Sequence, residues 1–343
     1  MIEGPAIGAG VSLVTGAAGF LGSRLTEQLR ARGEAVRAFD LDRARWDRLS
    51  KLGASMVHGD ITSRASVDSA MNGVTRVFHV AALYELGTRD AARMRAINVD
   101  GTRNVVEAAV SRDIPVVHVS SVAALGPTGV ALEDESHRSS TNGATRSAYE
   151  STKREAHECV RRIVEGSGGR ARVRIALPAT IYGAGDPSLV GKAHAWLARS
   201  HLRAFVAPTM RLAFVHVDDC ADGLVRVAER GRDGEEYILC ADSVTLREWF
   251  EAFARATHRP PPRVSVPDWL VKATGVAVSR IPGHAAPLRL LREATAMSDG
   301  FHWAFSGAKA RRELGWSPRS FEAGLDEVAR TARPRLRRSV VHT

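Results

Sequence analysis

The sequence predicts an α/β protein built on a doubly wound parallel sheet, and three observations carry the prediction. Short apolar runs alternate with amphipathic helical stretches through the first half of the chain, as in a parallel sheet covered on both faces. The first run, Val11 to Thr15, leads straight into a glycine-rich turn, Thr15-Gly-Ala-Ala-Gly-Phe-Leu-Gly22. The second, Ala35 to Phe39, ends on an acidic residue, Asp40.

Each element follows from its own pattern. Val11 to Thr15 is strand one. Phe20 to Arg32 is a helix with Leu21, Leu25 and Leu29 on one stripe, stopped by Gly33. Ala35 to Phe39 and Ser55 to His58 are strands two and three, and Arg76 to Ala81 is strand four. A long helix is expected from Arg89 to Arg112, with Ile97, Val105, Val106 and Ala109 turned inward. Pro115 to Ser120 is strand five. A helix bearing Tyr149 follows, and Arg172 to Leu177 is strand six. Beyond Pro178 the loops lengthen and prolines cluster at Pro260-Pro-Pro262, which reads as a smaller C-terminal lobe. The expected division is 11–180 for the sheet domain and 181–332 for the lobe, with segments free to interleave, and 333–343 for a disordered basic tail.

Bulk properties exclude several classes. The 343 residues are 44% hydrophobic and 25% charged, an ordinary soluble globular composition with enough chain for a large core. No apolar run reaches the length of about 18 residues that a membrane span needs. Met1 to Gly10 lacks the basic region of a secretory signal. Cys159, Cys220 and Cys240 are odd in number and widely spaced, offering neither a disulfide framework nor a metal site, so a reducing cytoplasm is expected. The net charge of +10 comes almost wholly from scattered arginines, many beside acids, and no nucleic-acid partner is expected.

The chemistry begins at the glycine-rich turn. Gly16, Gly19 and Gly22 follow a strand and open a helix, so the backbone can approach a pyrophosphate at the helix N-terminus, with Phe20 and Leu21 beside it. This is the Rossmann signature of a dinucleotide. Asp40 stands where a carboxylate binds the adenosine ribose and repels a 2′-phosphate, favouring NAD over NADP, with Arg37 and Arg43 as counter-evidence. Asp60 and Ile61 fall at the expected adenine edge, and Ala81 and Ala82 are small enough to let a cofactor pass.

Tyr149-Glu-Ser-Thr-Lys153 carries the reactive pair. Residues four apart share a helix face, so the Lys153 ammonium can sit beside the Tyr149 phenol. A phenol with a pKa of about 10 is a poor base near neutrality, and a fixed positive charge lowers it. Such a pair can take a proton from a substrate hydroxyl while hydride leaves the adjacent carbon.

Together these motifs resemble the extended short-chain dehydrogenase/reductases, the NAD-dependent epimerase/dehydratase group. Gly59-Asp-Ile61, Val80-Ala-Ala82, Asn98-Val-Asp-Gly-Thr102, Ser120-Ser121, Pro178-Ala-Thr-Ile-Tyr-Gly183 and Phe214-Val-His-Val-Asp-Asp219 extend the likeness over about residues 11–332. The resemblance implies that Ser121 holds the substrate oxygen, with Ser120 as competing candidate. It also implies that Tyr149 is the acid/base and that Lys153 binds the nicotinamide ribose while lowering the phenol pKa. Asn98 would support neighbouring strand ends, and Pro178 and Ile181 would border the nicotinamide. His216 is read as a packed structural residue, Asp218-Asp219 as caps of the next helix, and a homodimer is expected through the helices of 90–112 and 147–164.

The chain departs from the sugar-nucleotide members of that group. Met210-Arg-Leu-Ala-Phe214 displaces the usual arginine by one and puts Leu212-Ala213 in place of a polar pair. Trp196, Leu197, Phe205 and Val206 make the preceding segment apolar, and Tyr84, Ser121, Trp196 and Phe205 are candidate substrate residues. Ser121-Val-Ala123 lacks the acids of the sugar dehydratases. The branch of 3β-hydroxysteroid dehydrogenases, dihydroflavonol-type reductases and hopanoid-associated epimerase-like proteins remains. The expected reaction is interconversion of a secondary alcohol and a ketone on an apolar molecule, with a nucleotide-sugar 4-epimerase as the alternative and a non-catalytic dinucleotide sensor a distant third.

Overall fold

The computed structural model describes residues 10–41, 46–85, 88–139, 145–198, 204–205, 207–266, 270, 273 and 301–332. The tail 333–343 lies outside the described residues, as do Arg43 and Val206. The strands are β1 (Val11–Thr15), β2 (Ala35–Asp40), β3 (Ser55–His58), β4 (Val74–His79), β5 (Val116–Val119), β6 (Val173–Pro178), β7 (Thr180–Tyr182), β8 (Ala204–Phe205), β9 (Arg211–His216), β10 (Glu236–Leu239), β11 (Asp242–Thr245) and β12 (Val264–Ser265). Among the described residues seven of them form one parallel sheet, in the order β10-β6-β5-β4-β1-β2-β3. The order reverses between β1 and β4, which opens a crevice beyond their carboxyl ends, where ligands bind in sheets of this kind.

Helices α1 (Phe20–Ala31), α2 (Asp47–Lys51), α3 (Arg64–Ala70), α4 (Ala91–Arg95), α5 (Thr102–Val110) and α6 (Ala148–Gly166) cross between the sheet strands. The stripe expected on α1 is buried: Leu25 and Leu29 are fully enclosed, and Leu21 is nearly so. The single helix expected from Arg89 to Arg112 is interrupted. A π-helical turn, Ala96–Gly101, separates α4 from α5 and puts Asn98 into the interior. Strand four is shifted from the expected 76–81 to 74–79. Past His79 the backbone leaves the sheet, and the Ala81 amide donates to Thr15 Oγ1 at 3.3 Å.

The second half supplies α7 (Leu189–Ala198), α8 (Val217–Arg230), α9 (Leu246–Thr257), α10 (Ala308–Leu314) and α11 (Phe321–Ala332). A border at residue 180 is crossed twice. β10 joins the large sheet beside β6, whose outer edge otherwise leaves its backbone groups unpaired. Helix α8 lies along α1, with Gln28 donating to the Asp218 carbonyl and Arg32 paired to Asp222 and Glu229. A second apolar core gathers Tyr182, Phe214, Trp249, Phe253, Leu325 and Val328 beneath α9 and α11.

The expectation that Asp218 and Asp219 cap α8 is corrected. The cap is His216, whose Nδ1 accepts the Asp218 amide at 3.3 Å. Asp218 and Asp219 stand in the first turn and pair with Arg24 (3.2 Å) and Arg319 (2.9 Å). One ligand-type atom each from His216, Asp218 and Glu327 lie within 4.8 Å of one another. The two carboxylates face opposite ring nitrogens, and Arg24 and Arg319 already neutralise them, so the cluster is a helix cap rather than a cation site.

Several buried imidazoles are held neutral. Burial draws His79 and His194 down to about 3, and pushes His118 and His216 below the ordinary value. An unfolded chain takes up protons on these rings as pH falls below 6.5, whereas the folded chain does not. Their contribution to stability is complete above that value and is lost as pH descends toward 3. The urea unfolding midpoint is therefore expected to fall between about pH 7 and pH 5, ahead of most carboxylate protonation. A midpoint unchanged across that window would show that the rings are not held neutral.

Candidate active site

The glycine-rich turn links β1 to α1. Gly16 adopts φ +67°, and a Cβ there would come within 2.7 Å of the Ala81 Cα. A Cβ on Gly22 would lie 2.1 Å from the Gly16 carbonyl oxygen, so helix and turn meet only because glycine stands at that position. Helix α1 starts at Gly19 with no side-chain cap, which leaves amide N–H groups for an anion. Phe20 lies at the first helical position near Gly183, while the Leu21 side chain turns into the core.

Asp40 ends β2 and braces this turn. Its Oδ2 accepts the Ala18 amide and its Oδ1 the Leu41 amide, both at 2.9 Å. Each carboxylate oxygen keeps a further lone pair for a ribose hydroxyl. Arg37, weighed above as a partner for a 2′-phosphate, is committed elsewhere: its Nη1 donates to the Ala70 and Asn72 carbonyls at 2.7 and 2.6 Å. The residues present fit NAD. Asp60 uses Oδ1 to accept the Thr62 amide, and the Ile61 side chain is buried against Gly101. Ala81 and Ala82 follow β4, Pro178 ends β6, and Ile181 is the middle residue of β7.

Helix α6 brings the reactive pair to the end of β5. Ser147 caps it by accepting the Glu150 amide at 3.0 Å, and the Glu150 carboxylate accepts the Arg146 amide at 2.9 Å. Tyr149 is half-buried, with the ring of Tyr84 edge-on at 4.8 Å. Burial pushes the phenol up to about 12, against a hydrogen bond with the Ser121 side chain that pulls it down. Lys153 is 4% exposed, and its Nζ donates to the Val119 carbonyl at 3.0 Å. Burial lowers the ammonium to about 8. Lys153 is thus moored to β5, and its charge does not offset the burial of the phenol.

The two candidate serines separate. Ser121 begins the short 3-10 turn Val122–Ala124, accepts the Ala123 amide at 3.1 Å and faces Tyr149. Ser120 is buried, with its hydroxyl 3.1 Å from His157 Nδ1. Asn98 accepts the Leu83 amide at 2.7 Å and donates to the Leu83 carbonyl and to Thr152 Oγ1, which ties the loop after β4 to α6. His79 was not singled out in the sequence. It bridges Thr15 Oγ1 (2.8 Å) and Thr102 Oγ1 (2.9 Å), a contact between residues 64 apart that no local pattern announces.

The substrate candidates divide as well. Tyr84 is 48% exposed beside Tyr149, and Trp196 is 46% exposed on α7, with no contact to Tyr149 among the described residues. Phe205 on β8 is buried. It is 3% exposed, with the Arg247 guanidinium 4.9 Å above its ring.

The profile of the NAD dependent epimerase/dehydratase family matches residues 12–240. Sterol demethylase protein B of Methylococcus capsulatus is 31% identical over 93% of this chain and 97% of that protein. A putative dihydroflavonol 4-reductase of Synechocystis is 30% identical over 92% of each. The crystal structure of gox2253 superposes with a TM-score of 0.83 at 30% identity, covering 94% of this chain and 97% of that one. Replacing Asp40 with Ala removes the candidate ribose acceptor and the brace of the turn together. We expect NAD affinity to fall about tenfold or more by calorimetry, the scale of hydrogen bonds to a charged group. Unchanged affinity would mean that Asp40 serves only the strand end.

Proposed function

The chain belongs to the NAD dependent epimerase/dehydratase family, and from that premise we propose an oxidoreductase that interconverts a secondary alcohol and a ketone on a largely apolar small molecule. The observation that carries the reading is the meeting of Tyr149, Ser121 and Lys153 at the end of β5, beside a turn fitted to a dinucleotide. Bound NAD would supply the hydride acceptor, held by the glycine turn and Asp40, with Lys153 at the nicotinamide ribose.

Ser121 and Tyr149 hold the substrate oxygen between two hydroxyls. In oxidation Tyr149 takes the hydroxyl proton as the adjacent carbon gives up a hydride, which bound NAD would accept, and the alcohol becomes a ketone. In the reverse direction the phenol returns the proton. The sterol and dihydroflavonol in the names of the two relatives support an apolar ring system, and exposed Tyr84 supports it independently. Arg211, the nearest candidate for a diphosphate, turns its Nη1 to the Ser243 carbonyl at 3.4 Å, and Val122 and Ala123 offer no acid for dehydration. In this reading 11–180 forms the core of the cofactor domain and 181–332 the substrate lobe, with the interleaving described. The proposed working unit is a cytoplasmic homodimer, a reading supported by the family resemblance alone.

Absorbance of the reduced nicotinamide during turnover, over a panel of apolar alcohols, ketones and nucleotide sugars, tests the reading. A net redox change with an apolar pair supports it. An isomerised sugar without net redox change would replace it with the epimerase. Tyr149→Phe should lower kcat by about a hundredfold or more while leaving NAD affinity nearly intact. Loss of NAD binding in that variant would make the residue structural.

The pH profile has a direction. A phenol raised to about 12 by burial must lose its proton to act as base, so alcohol oxidation should accelerate as pH rises. Ketone reduction uses the protonated phenol and should not accelerate. Parallel profiles in the two directions would remove Tyr149 from the proton step.

A further inference from the structure

Tyr149, Lys153 and His157 follow one another at i, i+4 and i+8 along α6, so all three face the end of β5. The function above uses the first two. His157 is 3% exposed and spans three elements. Its Nδ1 meets the Ser120 hydroxyl just past β5 at 3.1 Å, and its Nε2 lies 3.2 Å from Glu236 Oε1 at the start of β10, an ion-pair distance rather than an aligned hydrogen bond. Arg161 Nε stands 3.7 Å from the same oxygen. Burial raises the Glu236 carboxyl, but His157, Arg161 and Arg138 outweigh it and leave the group below its ordinary range, as a carboxylate. A carboxylate only accepts, so Nε2 turns its hydrogen toward Glu236, while Nδ1 is left to the Ser120 hydroxyl.

The order serine, histidine, acid is that of an activated nucleophile, but Ser120 is 4% exposed. Its amide is also bonded to the Ala176 carbonyl at 2.8 Å, so it is held from both sides. We propose that Ser120, His157 and Glu236 form a strut that sets the end of β5 against α6, and that His157 and Glu236 are thereby positioning residues that keep Ser121 opposite Tyr149. The strut decides which of two adjacent serines reaches the substrate oxygen, because it consumes the hydroxyl of the other. It also brings β10, the sheet strand drawn from the second half of the chain, to bear on the catalytic helix. The proposal rests on the reading of Ser121 and Tyr149 given above, not on the substrate.

A double-mutant cycle in the full chain tests it. His157→Leu, assayed at a temperature where it remains folded, should lower kcat about tenfold with KM and NAD affinity nearly unchanged, the penalty of a slight misplacement. His157→Asn, of similar size but with an acceptor for Ser120, should recover part of the loss. In a Ser121→Ala background, His157→Leu should cost nothing further, because its effect runs through Ser121. Multiplying losses, or a His157→Leu enzyme with wild-type kcat, would overturn the proposal. If the wild type isomerises sugars instead, the dehydrogenase reading fails and the same cycle is run on that rate. Should no substrate turn over, the Tyr149 phenolate absorbance of the NAD complex, taken as wild type minus Tyr149→Phe, gives the answer. His157→Leu should move that titration upward as Ser121→Ala does, and a titration left in place would overturn the strut.

Discussion

An ammonium removed from water must find its hydrogen bonds within the protein, and for Lys153 the structure supplies the carbonyl of Val119, the last residue of β5. Most of the candidate site depends on that contact. It draws the N-terminal half of α6 onto the end of β5, which sets Tyr149 over Ser121 one turn earlier and His157 over Ser120 one turn later. The histidines behind it are consistent with a buried positive charge. His79 and His118 stack at 5.5 Å, and Lys153 contributes to holding both neutral after burial has done most of it.

The cofactor side is built from a different physical requirement, close approach of backbone to backbone. Gly16 and Gly22 leave no volume between β1, α1 and the chain beyond β4, and Asp40 closes the turn by accepting its Ala18 amide. Thr15 joins the two halves of the site. Its hydroxyl binds His79 and the Ala81 amide, so the strand that starts the glycine turn is tied to the strand end at the reacting centre. Through Thr102, Asn98 and Thr152 the same polar path returns to α6. The site thus has one continuous set of hydrogen bonds beneath it and strand ends above it.

The parts of this site that were legible beforehand are those whose chemistry is local in sequence. A strand, a glycine turn and a helix follow one another within the span from Val11 to Ala31, and Tyr149 and Lys153 are one helical turn apart. Periodicity found the strands of the first half to within two residues. It missed the π-turn at Ala96–Gly101, because a one-residue widening of a helix leaves little trace in an apolar stripe. The cap of α8 was assigned to the aspartates by residue type, and an imidazole took the position because Arg24 and Arg319 claimed the carboxylates.

By itself the sequence determined the sheet class, the dinucleotide turn and the Tyr–Lys pair, since each is specified by residues that are neighbours along the chain. Only the tertiary structure decided that Ser121 rather than Ser120 faces the phenol, since the choice is made by His157, 37 residues away from Ser120. It also decided that Arg37 is spent on the carbonyls after α3, and that β10 completes the sheet beside β6. The physical reason is common to all three. A buried polar group takes whatever partner the packed chain brings within about 3 Å, and that partner is fixed by topology, not by spacing.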